Sequence, residues 1–216
     1  MKKLLYIIVN SKEEAQSSSR TVSRSLVNAI LQKKPELRLE ELDLYKAHIP
    51  QLKGCCFESR SALVSAEARS RLAPEEQREV EAAAALCEQF RDADCYVLAS
   101  PMWSLSFPAP LKAYIDCVVQ AGRTIAFEDN KPRGLLGDKP RVFLYVQSSG
   151  AAIPWLIRPA LNKGLNYVRD IVKFMGIETF EELLVDGTGT TEAERLEAVR
   201  KATEKIDGVV NALFPA

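Results

Sequence analysis

An α/β fold with a parallel sheet is what this chain of 216 residues predicts, and three observations lead there. Five short apolar runs alternate with five amphipathic stretches, the pattern of a three-layer α/β sandwich. Several of those runs are continuously apolar and bounded by turn residues, as in strands buried between helical layers. The unusual residues sit in the loops that leave the strands.

Residues 3–9 (KLLYIIV), stopped by Asn10 and Ser11, read as the first buried strand. Residues 19–34 carry Val22, Leu26, Val27, Ile30 and Leu31 at helical spacing and end before Pro35. Residues 37–44 (LRLEELDL) alternate apolar and polar, which predicts a half-exposed or edge strand. Residues 46–73 show less pattern, with one short helix expected over 62–72. Too few apolar residues lie there for a separate core, so the segment reads as an insertion over one face of a single domain spanning 1–216.

Pro74 opens the next helix at its favoured first position, followed by Glu75, Glu76 and an alanine-rich run to about residue 93. A strand over 95–100 (CYVLAS) and a helix over 109–121 follow, the latter with Leu111, Tyr114, Ile115, Val118 and Val119 on one face. Residues 123–137 read as irregular. A strand over 141–146 (RVFLYV), a helix over 155–175, a strand over 180–185 and a closing helix over 191–213 complete the chain.

Composition removes several function classes. Lysine plus arginine and aspartate plus glutamate both total 29, so the formal net charge is zero and nothing favours nucleic acid or an anionic membrane as partner. The opening MKKLLYIIVNSKEE is too short in its apolar part for a signal peptide, and no run approaches a membrane span. A cytoplasmic location is the expectation. The five cysteines, Cys55, Cys56, Cys87, Cys95 and Cys117, form neither a disulfide framework nor a CxxC motif. With His48 as the single histidine, a histidine-rich metal site is not available, and no metal is expected.

In a parallel sheet of this kind, ligands bind beyond the carboxyl ends of the strands. Three post-strand loops open on that edge. The first, NSKEEAQSSSRTVSRSL over 10–26, lacks the glycine patterns of dinucleotide and nucleoside-triphosphate loops but places Ser17, Ser18 and Ser19 at a helix start, a ready anion site. Capping of the helix by one serine is the plainer alternative. The second, after residue 100, sets Met102 and Trp103 between Pro101 and Pro108, a stiff loop suited to a flat heteroaromatic ligand or simply to packing under a neighbour. The third, QSSGAAIPW over 147–155, allows close backbone approach at Gly150, or is an ordinary turn. Together they fit a phosphate at the first loop and a planar ring between the other two, which flavin mononucleotide (FMN) supplies.

The segment PMWSLSFPAPLKAYIDCVVQAGRTIAF over 101–127 resembles the signature of the FMN-dependent NADH azoreductases, flavodoxin-like quinone reductases in which a P-M-[YW]-N-[FL]-x-[IF]-P element precedes L-K-x-Y-x-D and A-G-x-T-F-x-Y. The resemblance implies a five-stranded parallel sheet in the order 2-1-3-4-5. It implies a phosphate held near Ser11, Ser17, Ser18 and Ser19, and a ring against Met102, Trp103, Ser104 and Leu105, whose amides would face its polar edge. Gln147, Ser148, Ser149 and Gly150 would complete the other side, and Phe127 would stand at the mouth of the substrate pocket. Ser104 departs from the family's asparagine, and Gly150-Ala151 from its glycine pair.

What the resemblance implies in function is two-electron, ping-pong transfer from NADH or NADPH to quinones or azo compounds by a homodimer. The cofactor carries the chemistry, so no side-chain acid or base is expected. Two other readings stay open. A flavodoxin-type electron carrier would bind FMN without nicotinamide turnover, although the zero net charge lacks the acidic docking face such carriers use. A flavin-free binding module would need the serines only as a cap.

Overall fold

The computed structural model describes residues 2–129, 131–154 and 156–215, without the side chain of Pro159. The chain opens with strand β1 (Lys3–Ile8), helix α1 (Ser18–Lys33) and strand β2 (Arg38–Asp43). A short hairpin of β3 (Phe57–Ser59) and β4 (Ala62–Leu63) and the single turn α2 (Ala66–Arg69) precede α3 (Pro74–Asp92). Strand β5 (Cys95–Pro101) and helix α4 (Ala109–Val118) lead to a second hairpin, β6 (Ile125–Glu128) with β7 (Lys131–Gly134). Then come β8 (Val142–Ser149), the turn α5 (Arg158–Leu161), α6 (Lys163–Phe174), β9 (Thr179–Asp186), α7 (Glu192–Thr203) and α8 (Ile206–Leu213).

The main sheet has the order β2-β1-β5-β8-β9 with every pairing parallel. Counting its strands alone, that is the order 2-1-3-4-5. Alternation along each strand sends side chains to two separate cores. Leu5, Ile7, Leu98, Phe143 and Tyr145 meet Phe90 of α3, Leu111 and Tyr114 of α4, and Val168 and Val172 of α6. Leu4, Tyr6, Ile8, Val97 and Val146 meet Val22, Leu26 and Ile30 of α1, and Ala198, Ala202 and Val210 of α7 and α8. Because β1, β5 and β8 are covered on both faces, apolar residues fill their central positions, Leu4–Ile8, Cys95–Ala99 and Val142–Val146, which is why those sequences read as unbroken runs, and buried polar residues enter only at the carboxyl ends.

Four expectations change. Residues 123–137 are not irregular but hold the β6–β7 hairpin, whose turn carries Asp129 at φ 50°. Asn130, also in that stretch, lies outside the described residues. The helix expected over 155–175 is interrupted: α5 ends at Asn162, whose side chain then caps α6 by accepting from the Leu165 amide at 3.1 Å. The closing helix is likewise two, with Glu204 and Lys205 between them. In place of a helix over 62–72, β4 pairs with β3 before the one turn of α2.

Candidate functional site

All strands of the sheet are parallel, so the loops after β1, β5, β8 and β9 leave from one edge. The chain moves outward from β1 to β2 and then returns to lay β5 on the other side of β1. That reversal opens a crevice between the loops after β1 and β5. A cleft of about 300 Å³ occupies the place.

Loop one is braced from within. Asn10 Nδ2 donates to Ser17 Oγ at 2.7 Å, and Ser17 Oγ accepts from the Arg20 amide at 3.3 Å as the N-cap of α1. Arg20, almost fully buried, donates from Nη1 to the Lys12 carbonyl at 2.8 Å and lies 3.7 Å from Asp43. One serine is therefore the cap, as the plainer reading held. Ser18 has no hydrogen-bond partner for its hydroxyl among the described residues, and the first-turn amides of Ser18 and Ser19 have no acceptor within the helix. These donors, at the positive end of a helix of 16 residues, suit an anion.

Loop two is a rigid reverse turn. Trp103 and Ser106 exchange both backbone hydrogen bonds, at 3.1 and 2.8 Å, around Ser104 at φ 49° and Leu105 at φ 62°. Two central residues at positive φ mark a type I′ turn, which normally takes asparagine or glycine. The Met102 amide donates to the Ser148 carbonyl at 2.7 Å, and the Leu105 carbonyl accepts from the Gly164 amide at 3.1 Å. With Met102 and Trp103 amides engaged, the backbone donors left for a ligand are those of Ser104 and Leu105. Trp103 is 49% exposed, so its ring is offered to the solvent side and not to the core.

Loop three is tied to the loop after β9. Ser149 Oγ lies 2.7 Å from the Ala151 carbonyl and 2.9 Å from Asp186 Oδ1, while Arg158 Nη2 donates to Asp186 Oδ2 at 2.8 Å. The Thr188 and Gly189 amides donate to the Ser149 and Gly150 carbonyls, both at 3.0 Å. A Cβ added at Gly150 would meet no protein atom within 4 Å, so that side of the loop is open.

Ser17, Ser18, Met102, Trp103, Ser148, Ser149 and Gly150 line one cleft. Ser11, Ser104 and Leu105 stand in the same loops but outside its lining, and Ser19, the second residue of α1, is fully buried with its hydroxyl 3.3 Å from Ser17 Oγ. Gln147 is almost fully buried and its side chain is used elsewhere, accepting from Asn162 Nδ2 and donating to Tyr145 Oη at 3.2 Å. Burial pushes the Tyr145 phenol upward, so it remains a neutral hydrogen-bonding partner. Phe127, on β6, is not among the residues that line the cleft, and the Arg60 guanidinium stands 5.2 Å above its ring. Thr188, Thr190, Glu192 and Arg195 form a fourth wall that the sequence did not announce. The available signal was the run GTGTTEAER over 187–195, a post-strand loop whose Thr191 and Glu194 form a capping box.

Residues 2–209 match the family described as having a flavodoxin-like fold. The chain belongs to the flavodoxin-like family. This flavodoxin-like protein is 66% identical over 213 residues to a protein of Ruminiclostridium cellulolyticum named FMN-dependent NADH:quinone oxidoreductase, covering 99% of this chain and 100% of the relative. A protein of the same name from Clostridium botulinum (strain Eklund 17B / Type B) is 55% identical, with 99% and 100% coverage. Among solved structures, an FMN-dependent NADH-azoreductase of Bacillus anthracis str. Ames Ancestor in complex with FMN superposes with a TM-score of 0.83 at 22% identity, covering 99% of this chain and all of that one. That likeness establishes the fold.

The donor set of the cleft fits the cofactor those names carry. Neutral hydroxyls and free amides at a helix start face one part of it, and a half-exposed indole, a thioether and an unobstructed glycine face another. No group of three or more histidine, cysteine, aspartate or glutamate side chains among the described residues could hold a metal ion. No described helix is long and apolar enough to cross a membrane.

Proposed function

We propose that this chain binds FMN non-covalently and catalyses the reduction of quinones and azo compounds by NADH or NADPH. The observation that carries this is the convergence of three separately predicted loops on one cleft at the sheet's reversal point. The name shared by relatives at 66% and 55% identity over their whole length supports the same activity. When bound, FMN would supply the two-electron, hydride-accepting chemistry between nicotinamide and acceptor.

The protein's part is to bind and orient. Ser17, Ser18 and the start of α1 hold the phosphate, with Ser11 and Ser19 beside them. Met102 and Trp103 take one side of the ring, and Ser148, Ser149 and Gly150 the other, with Gln147 shaping that wall from beneath. The turn amides of Ser104 and Leu105 are fixed in advance, so they can stabilise negative charge on the ring's polar edge without reorganising. No side chain is assigned as acid or base.

The acceptor enters past Phe127. Residues 46–73 stand beside it, since the Ala121 amide donates to the Ser61 carbonyl at 2.6 Å, and this part of the one domain shapes acceptor choice. The working form is a cytoplasmic homodimer. Leu105, Leu156, Ile157 and Tyr167 are large, exposed side chains on the loops and helix next to the cleft, and covering them is the use a partner copy would make of this edge. Steady-state rates with NADH and benzoquinone varied together test the reaction. Parallel double-reciprocal lines are expected; intersecting lines, or no NADH turnover by FMN-loaded protein, would overturn it.

A further inference from the structure

Arg195 has no part in the reading above, and it is one of three arginines, with Arg20 and Arg158, that keep a buried N–H without a partner among the described residues. It stands in the first turn of α7, which packs on the same face of the sheet as α1, so the starts of both helices border the cleft. Glu192 grips one edge of its guanidinium, accepting from Nε at 2.8 Å and from Nη2 at 2.6 Å. That clip fixes the plane of the group. Nη1, on the opposite edge, is buried and has no hydrogen-bond partner among the described residues.

A buried guanidinium N–H without an acceptor is destabilising, so the position calls for one. The cleft that Arg195 lines is where an acceptor can enter. Charge argues the same way. A phosphate monoester carries close to two negative charges near neutral pH. Loop one meets it with neutral hydroxyls and amides, while its own Arg20 directs Nη1 to the Lys12 carbonyl and Asp43 and keeps a buried Nε without a partner among the described residues. Among the lining residues the cations are Lys12, which is exposed, and Arg195.

We propose that Arg195 is a phosphate-binding residue, closing the flavin-nucleotide site from the loop after β9 while α1 closes it from the opposite side. Glu192 occupies the Nε–Nη2 edge, so the donors left for phosphate oxygens are on Nη1, buried and unpartnered here, and the second N–H of Nη2, in the planar fork that arginine alone provides. Glu192 therefore orients the guanidinium and Arg195 makes the contact. The assignment rests on the FMN reading of the cleft and adds to it the residue that recognises the phosphate's charge.

The test compares FMN with riboflavin, which differs from it only in lacking the phosphate. Dissociation constants for both are measured by quenching of flavin fluorescence on apoprotein at fixed salt, for wild type, Arg195→Ala and Arg195→Lys. Arg195→Ala is expected to weaken FMN roughly ten- to a hundred-fold and leave riboflavin unchanged, with Arg195→Lys between. Arg195→Gln serves the comparison if the alanine variant does not fold. Wild type that binds FMN, with an Arg195→Ala variant of equal FMN affinity or one that loses both flavins equally, overturns the assignment alone. Wild type that binds neither flavin overturns the FMN reading and this assignment with it.

Discussion

Gly164 touches no ligand in this account, yet replacing it with alanine should damage the site. It is the second residue of α6, and its amide supports the Leu105 carbonyl in loop two. A Cβ there would lie 2.7 Å from the Ser106 carbonyl carbon and within 2.9 Å of two more backbone atoms of that residue, where ordinary contact begins near 3.4 Å. The turn would have to retreat by the difference, about 0.7 Å. Two effects of opposite sign compete. Alanine in place of glycine in a helix stabilises by up to about 1 kcal/mol, whereas forcing backbone aside in a packed region costs about 1–3 kcal/mol. The clash is against backbone, which has no rotamer to change, so it should prevail. Gly164→Ala is predicted to lower the melting temperature of the apoprotein by a few degrees, at roughly 2–4 °C per kcal/mol for a chain of this size. FMN affinity should fall as well, because the displaced turn carries the two free amides. Calorimetry and flavin titration read the two effects separately. A variant that melts at or above wild type and binds FMN equally would refute the claim that α6 holds the ring loop in place.

Relieving the strain at Ser104 should separate stability from affinity. Glycine tolerates φ 49° where serine does not, so Ser104→Gly is predicted to raise stability by about 0.5 kcal/mol after its own entropic cost, while loosening the turn and weakening FMN; a variant that loses stability would count against the strain argument. At the opposite side of α1, paired hydrogen bonds from Arg24 at 2.6 and 2.8 Å hold the Glu41 carboxyl below its ordinary value, against the opposing effect of burial. A carboxyl lowered in the folded state contributes stability above its unfolded pKa, near 4.3, and loses it as pH falls through the folded value. Because Glu41 is 41% exposed the effect is small, about 0.5 kcal/mol. Glu41→Gln should therefore be slightly less stable than wild type at pH 7, with the gap closing below about pH 4 in urea denaturation; a gap that widens in acid would show the pair does not stabilise the fold.

Much of the fold was legible because burial on both faces imposes a simple rule. Residues 4–9, 95–99 and 142–146 had to be apolar, and α1, α3 and α4 show their core stripes at helical spacing. What stayed hidden had no such constraint. The β6–β7 hairpin lies outside the main sheet, and its strand KPRG has neither alternation nor apolar residues to betray it. The break before α6 depends on Asn162 acting as a cap, and an asparagine within an otherwise periodic stretch does not declare that role. In the site, the three loops were recognisable by residue type, but side-chain direction was not. Gln147 sits at a strand end among ligand-facing neighbours, yet Asn162 and Tyr145 draw it inward. The wall formed by Thr188 and Arg195 escaped notice because its threonines and glutamate also explain themselves as a helix cap, and only the packing of α7 beside α1 brings them to the cleft.

The central claim is that the cleft holds a flavin which nicotinamide can reduce. The direct measurement is the visible spectrum of the purified, FMN-reconstituted and desalted protein, before and after anaerobic addition of NADH and then of a quinone. A flavin band that survives desalting, bleaches with NADH and returns with quinone is the predicted result. A retained band that NADH leaves untouched, or no retained band at all, would contradict it.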